Sequence, residues 1–150
     1  MTWADFEQAL LPLALWREGR GEGVTGMRAI GHVILNRMVV WEKSLARVIT
    51  DLNQFSAMTV LGDAQTVKYP LITDKAFAAA LNIAGELLRG VSQDPTGGAV
   101  FYRNPKTANS AWFQKEVAES GRYVLSAVIG NHEFWAPKQV EPNRETVHPA

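Results

Sequence analysis

The chain has 150 residues, 47% apolar and 20% charged, enough to bury one sizeable core and far from the composition of disordered chains. Its formal net charge is zero with a pI near 6.8, and its fifteen basic residues are scattered, which excludes the basic stripe a nucleic-acid binder uses to neutralise phosphates. There is no cysteine, so disulfide frameworks, thiolate nucleophiles and Cys-ligated zinc are excluded, and the redox compartment stays open.

In chain order, the segment Met1-Thr2-Trp3-Ala4-Asp5-Phe6-Glu7 carries acids where a secretory leader carries lysines, and no continuous apolar stretch follows. The expectation is a chain made in the cytoplasm without a signal peptide. No window approaches the roughly 20 apolar residues of a membrane span. Thr2 and Asp5 read as a capping box for a first helix, with Phe6, Ala9, Leu10, Leu13 and Ala14 at helical spacing. Pro12 is expected to kink that helix or divide it. A second helix is predicted from near Thr25 to about Met38, with Met27, Ile30, Val33, Ile34 and Met38 on one face and Gly31 available for close helix packing. His32 and Asn36 share a face of it, with Arg37 adjacent. A short third helix fits Ser44 to about Thr50, and Asp51 to Tyr69 reads as irregular.

Thr73-Asp74 is a strong cap for an alanine-rich core helix ending at Arg89, where Gly90 stops it. Asp94-Pro95-Thr96-Gly97-Gly98 is a turn by composition, followed by a short strand over Ala99 to Tyr102. Asn109 or Ser110 would cap a further helix to about Ser120. Tyr123 to Ile129 and His132 to Trp135 flank Gly130-Asn131 as a hairpin. Residues 136–150, with three prolines after Trp135, read as a surface tail. No repeat, low-complexity tract or linker divides the chain, so 1–150 reads as a single domain.

The most informative stretch is Trp16-Arg17-Glu18-Gly19-Arg20-Gly21-Glu22-Gly23. It places two carboxylates and two guanidiniums in a glycine-rich break at the end of an apolar helix. Glu18 falls in the last turn, at the negative end of the helix dipole, a placement that costs a few tenths to about 1 kcal/mol and normally goes to Lys or Arg. That field, and partial burial beside Trp16, would favour the protonated carboxyl, which is what a general acid requires. The bland alternative is a solvated loop in which Arg17 and Arg20 pair with Glu18 and Glu22 on the surface, for about 0 to 1 kcal/mol each.

Several segments together carry a resemblance: Glu18-Gly19-Arg20-Gly21-Glu22, Ile34-Leu35-Asn36-Arg37, Gln54-Phe55-Ser56, Asp94-Pro95-Thr96-Gly97-Gly98-Ala99, Phe101-Tyr102 with Asn104, and Ile129-Gly130-Asn131-His132 with Phe134. In this order and spacing, from about Leu11 to Trp135, the chain resembles the cell wall hydrolase family that includes the catalytic domain of spore-cortex-lytic enzymes. The resemblance implies an α+β, predominantly helical fold related to lysozyme and lytic transglycosylases, with a small antiparallel β element. It also implies action on the glycan strands of peptidoglycan without metal or other cofactor, and it puts the family's catalytic glutamate on Glu18. The family usually has alanine where this chain has Gly19, which would loosen the backbone beside the acid. Members commonly carry export signals and wall-binding repeats. Their absence here points to a phage-type endolysin, monomeric, released to the wall through the inner membrane by a separate pore-forming protein.

Two chemistries are open for such a site. A lytic transglycosylase needs one carboxyl, which protonates the leaving oxygen of the MurNAc-GlcNAc β-1,4 bond and then deprotonates the sugar's C6 hydroxyl, leaving a 1,6-anhydroMurNAc end. A muramidase would use Glu22 to activate a water, with the carboxyls roughly 6.5 to 9.5 Å apart. The glycines between the two acids favour the first. Tyr102, Thr96, Gln54, Ser56 and Asn104 are the candidate substrate contacts, weighed against turn and core roles. Asn36 and Arg37 are expected to fasten the second helix to the glutamate loop, with Glu22 as the partner of Arg37. His132 is expected to be a structural hydrogen-bonder near the cleft, and Phe134 and Trp135 core aromatics. A metal-dependent amidase is disfavoured because His32, His132 and His148 lack ligand spacing. A non-catalytic glycan-binding module is the remaining rival, and the presence of Glu18 speaks against it.

Overall fold

The computed structural model describes residues 2–51, 55–60, 62–107 and 110–139. Helix α1 spans Trp3–Gly19, with both arms of the Thr2/Asp5 capping box formed. It runs through Pro12 as one element, contrary to the expected division. Buried Leu11, Ala14 and Leu15 on either side of the proline hold both halves to the core. A 3₁₀ turn over Arg20–Glu22 and a left-handed Gly23 (φ 73°) reverse the chain into α2, Gly23–Val40. Helix α3 is Leu45–Thr50, capped by Ser44. The stretch read as irregular holds a short helix α4, Ser56–Thr59, and a 3₁₀ turn at Ala64–Val67 capped by Asp63. Helix α5, Lys75–Leu88, starts at the Asp74 cap and stops before Gly90 at φ 71°.

The sheet is small. Strand β1, Phe101–Arg103, is followed by α6, Ala111–Phe113, capped by Ser110 and continued by a π-helical turn over Gln114–Ala118. Asn109, the other candidate cap, lies outside the described residues, as does 140–150 of the tail read over 136–150; Ala136 and Pro137 of that tail instead belong to β3, where Ala136 is buried. Strands β2, Tyr123–Ile129, and β3, His132–Pro137, form the predicted hairpin about Gly130 (φ 59°). The order is β1-β3-β2, all antiparallel, so β1 and β2 are edges. Strand β1 begins later than the predicted Ala99 because Ala99 and Val100 are fully buried and lead into it, with Val100 N–H already donating to the Trp135 carbonyl.

Helix α2 sits between two cores. One face joins α1, α3, α5 and Phe55 in the main apolar cluster. The other, through Ala29 and Val33, packs on Ala99 and Phe134 under the sheet. Gly31 makes the first contact possible: a Cβ there would lie 2.3 Å from Leu87 Cδ1. Among the described residues no helix is long and apolar enough to cross a membrane.

Candidate active site

The site forms where the C-terminal end of α1 meets the sheet across the flank of α2. Glu18 is half-buried in the last turn of α1. Tyr102, at the centre of β1, donates its hydroxyl to Glu18 Oε2 at 3.3 Å, the long end of hydrogen-bond range. Strand pairing sets Tyr102 opposite Phe134, with the rings stacked at 5.8 Å, and the His132 ring stands edge-on at 5.6 Å. Burial and the adjacent Glu18 charge push the Tyr102 phenol well above its usual value, against the pull of Arg37. The phenol therefore stays protonated and serves as a donor.

The motif's other large side chains have partners of their own. Trp16 turns away, its indole donating to Asp74 and one face covered by the Arg20 guanidinium at 4.0 Å. Arg17 and Arg20 each have partners beyond the motif. Arg17 is buried against the Lys68 carbonyl, Met58 Sδ and the Tyr69 ring, and Arg20 binds Gln65 Oε1 at 2.6 Å. The two guanidiniums tie the end of α1 and the turn after it to Met58, Gln65, Lys68 and Tyr69. Gly19 is packed rather than loose: a Cβ would lie 3.0 Å from Met27 Cγ and 3.1 Å from Met27 Cα. The missing methyl lets α2 come close behind the acid.

The expected Glu22–Arg37 pair does not form. Arg37 is 3% exposed, with Nε donating to the Val100 carbonyl at 2.6 Å. Rings of Trp41, Phe55 and Phe101 surround it at 5.0, 4.9 and 5.6 Å. Burial pulls its pKa down to about 10, while Tyr102 and Glu18 act to raise it. Glu22 faces the other way, Oε1 standing 3.9 Å from His132 Nδ1, beside Gly130, where a Cβ would lie 3.2 Å from Oε2. Asn36 is also redirected: its amide donates to Asp94 Oδ2 and the Ala99 carbonyl, fastening α2 to the turn before β1 rather than to the glutamate loop.

That turn holds one candidate substrate contact, Thr96. Thr96 is fully buried, its hydroxyl donating to Asp94 Oδ1 at 2.6 Å and accepting from Ala99 N–H, with its carbonyl bound by Ser126. These bonds make it a fastening of the turn. Burial alone would raise the Asp94 pKa, but hydrogen bonds from Thr96, Asn36 and Gly98 together hold it below the usual carboxylate value. Asn104 likewise spends its side-chain oxygen on Lys106 N–H. Gln54 lies outside the described residues; Ser56 opens α4, its side chain likewise outside the description. His32 is buried against Ser92 Oγ at 2.8 Å, a partner that no spacing signalled. Among the described residues no cluster of three or more His, Cys, Asp or Glu could hold a metal.

A helical body closed by a three-stranded antiparallel sheet, with one carboxyl at the helix–sheet junction and a phenol donating to it, defines a lysozyme-like domain. The chain belongs to the cell wall hydrolase family, whose model matches residues 21–135, beginning just after Glu18. It is 32% identical to the spore cortex-lytic enzyme of Halalkalibacterium halodurans over 82% of its own length, and spans about a third (35%) of that enzyme. Among solved structures it is similar to the catalytic domain of the germination-specific lytic transglycosylase SleB from Bacillus anthracis, with a TM-score of 0.63 at 28% identity over 85% of this chain and 92% of that one. For the catalytic domain of the Bacillus cereus SleB protein the TM-score is 0.61 at 30% identity, over 89% and 91%.

Proposed function

We propose that this chain is a peptidoglycan lytic transglycosylase that acts on the cell wall, cleaving the MurNAc-GlcNAc β-1,4 bond with Glu18 as the only carboxyl in the chemistry. The observation that carries this reading is the half-buried Glu18 with the Tyr102 hydroxyl on Oε2, while Glu22 is turned to His132 and Gly130. Likeness to the SleB catalytic domains, one of which is titled a lytic transglycosylase, supports the same reaction class.

The steps follow from one proton. The Glu18 carboxylic acid gives it to the glycosidic oxygen as the C1–O bond breaks, and the positive charge develops at C1. The Glu18 carboxylate, still hydrogen-bonded by Tyr102, then takes the proton of the C6 hydroxyl as that oxygen closes on C1. The product is a 1,6-anhydro ring, no water is consumed, and Glu18 is again an acid. The test is Glu18→Gln, which keeps the shape and cannot donate the proton. Solubilisation of peptidoglycan should be lost while the thermal midpoint is retained; a folded variant that lyses walls as fast as the parent would rule the reading out.

A further inference from the structure

We propose that His132 is a positioning residue for this reaction: set edge-on against the Tyr102 ring and braced by Glu22, it fixes where the Tyr102 hydroxyl stands against Glu18. The inference rests on the reading of Glu18 as the acid and base and of Tyr102 as its donor.

The Tyr102 hydroxyl reaches Glu18 Oε2 at 3.3 Å, where little further lengthening is tolerated. It sits at the far end of its side chain, so a small rotation of the ring is magnified there. Whatever limits ring movement therefore acts on the proton step. Strand pairing supplies one restraint: Tyr102 lies opposite Phe134, and the two rings stack at 5.8 Å with their planes 27° apart. Stacked rings resist separation but slide past one another at little cost, since each atomic contact is weak and offset arrangements are favourable. The second restraint crosses that direction. His132, two residues before Phe134 and on the same face of β3, meets Tyr102 at 5.6 Å with the planes 64° apart, and meets Phe134 at 6.3 Å. A stacked ring and an edge-on ring together leave Tyr102 fewer ways to move than either alone.

His132 is itself held from outside the sheet. It opens β3 straight after the Gly130 turn, and its side chain is half-buried at the rim. Nδ1 stands 3.9 Å from Glu22 Oε1, a spacing for electrostatic attraction rather than a direct hydrogen bond. Oε2 of the same carboxylate lies against Gly130, where a Cβ would come within 3.2 Å. The turn after α1 thus meets the hairpin at two adjoining points. An apolar ring at position 132 would fill the same space; the nitrogen adds the tie to Glu22. The two acids of the motif are joined through the sheet, the first receiving Tyr102 and the second bracing His132, with the two rings in contact between them.

The experiment is a double-mutant cycle in steady-state kinetics on solubilised glycan strands, for the parent, His132→Ala, Tyr102→Phe and the double variant, with folding checked by circular dichroism and thermal midpoint. His132→Ala should lower kcat about three- to tenfold with KM within about twofold, and the same substitution made in Tyr102→Phe should change kcat by less than about twofold, because the hydroxyl it positions is gone. His132→Phe, which keeps a ring edge, should recover most of the kcat lost in His132→Ala. Equal fold-losses in the two backgrounds overturn the proposal, as does a raised KM with kcat kept, which would make His132 a substrate contact. Should His132→Ala not fold, His132→Gln, which removes the ring and keeps an amide within reach of Glu22, takes its place in the cycle with the same outcomes. A fully active Glu18→Gln would instead remove the underlying reading, and a Tyr102→Phe as fast as the parent would remove the donor. An inactive Glu18→Gln and a slowed Tyr102→Phe with equal losses from His132→Ala in both backgrounds remove only the role of His132.

Discussion

Glu18 and Glu22 leave one reversal of the chain four residues apart, both half-buried, and end in unlike surroundings. Glu18 lies in the last turn of α1, where the Tyr102 phenol of β1 donates to it. Glu22 lies over Gly26, where a Cβ would come within 2.3 Å of its own Cβ, and reaches the rim of the β2–β3 turn beside His132. One carboxyl accepts from a buried phenol of the sheet; the other lies between the turn and the hairpin. Two acids of one motif thus meet different surroundings, and the proposed function assigns the chemistry to the first of them.

The contrast can be broken by substitution. Glu18→Gln should lower the rate of glycan cleavage by about 10²- to 10⁴-fold, the usual contribution of a positioned acid and base; an effect no larger than that of Glu22→Gln would erase the distinction between them. Tyr102→Phe removes one hydrogen bond to a carboxylate, of order 1.5 to 3 kcal/mol, and should slow turnover about 10- to 100-fold in steady-state assays with the thermal midpoint nearly kept. Asp94→Asn should act on stability instead. It disturbs the hydrogen bonds to Thr96, Asn36 and Gly98 and should cost about 1 to 3 kcal/mol in urea denaturation, with activity per folded molecule retained. Glu22→Gln should be the mildest for catalysis, within a few-fold of the parent.

A pH effect on stability sharpens the same division. Burial, opposed by Asp94 and reinforced by Arg28, lowers the His32 pKa below its ordinary 6.5. The unfolded chain therefore takes up the proton first as pH falls, so stability declines on acidification through about 6.5. Scanning calorimetry from pH 7.5 to 5.0 should show a falling midpoint, and His32→Gln should flatten that slope without touching kcat. For Asp94 the sign is set by a lowered carboxylate: its contribution is complete above the ordinary value of 3.8 and is lost as pH falls through the lower folded value.

Local signals made most of the frame legible. Thr2, Ser44, Asp74 and Ser110 each accept the capping hydrogen bond their type suggests, and Gly90 and Gly130 take positive φ where a stop and a hairpin were read. The 3.6-residue rhythm found α1 and α2 because their apolar faces are buried, while α5 was legible from its Asp74 cap, its alanine-rich run and Gly90. Elements of one turn, such as α4 and the 3₁₀ turn at Ala64–Val67, carry too few residues for any period to register. In the site, the grouping of Glu18, Tyr102, Glu22 and His132 could be read, but the pairing within it could not. Arg37 meets Val100, and Asn36 meets Asp94, across 63 and 58 positions of sequence. Those partners are fixed by how α2 lies on the turn before β1. Thr96 looked as suitable for a sugar as for a turn until Asp94 and Ser126 were seen to enclose it.

The central claim, that one carboxyl works without a water-activating partner, is tested most directly by mass spectrometry of the muropeptides released from purified peptidoglycan. The account predicts fragments ending in 1,6-anhydroMurNAc, about 18 Da lighter than their hydrolysed counterparts because the C6 hydroxyl, rather than water, closes on C1. Fragments ending in reducing MurNAc would contradict it and return Glu22 to the chemistry.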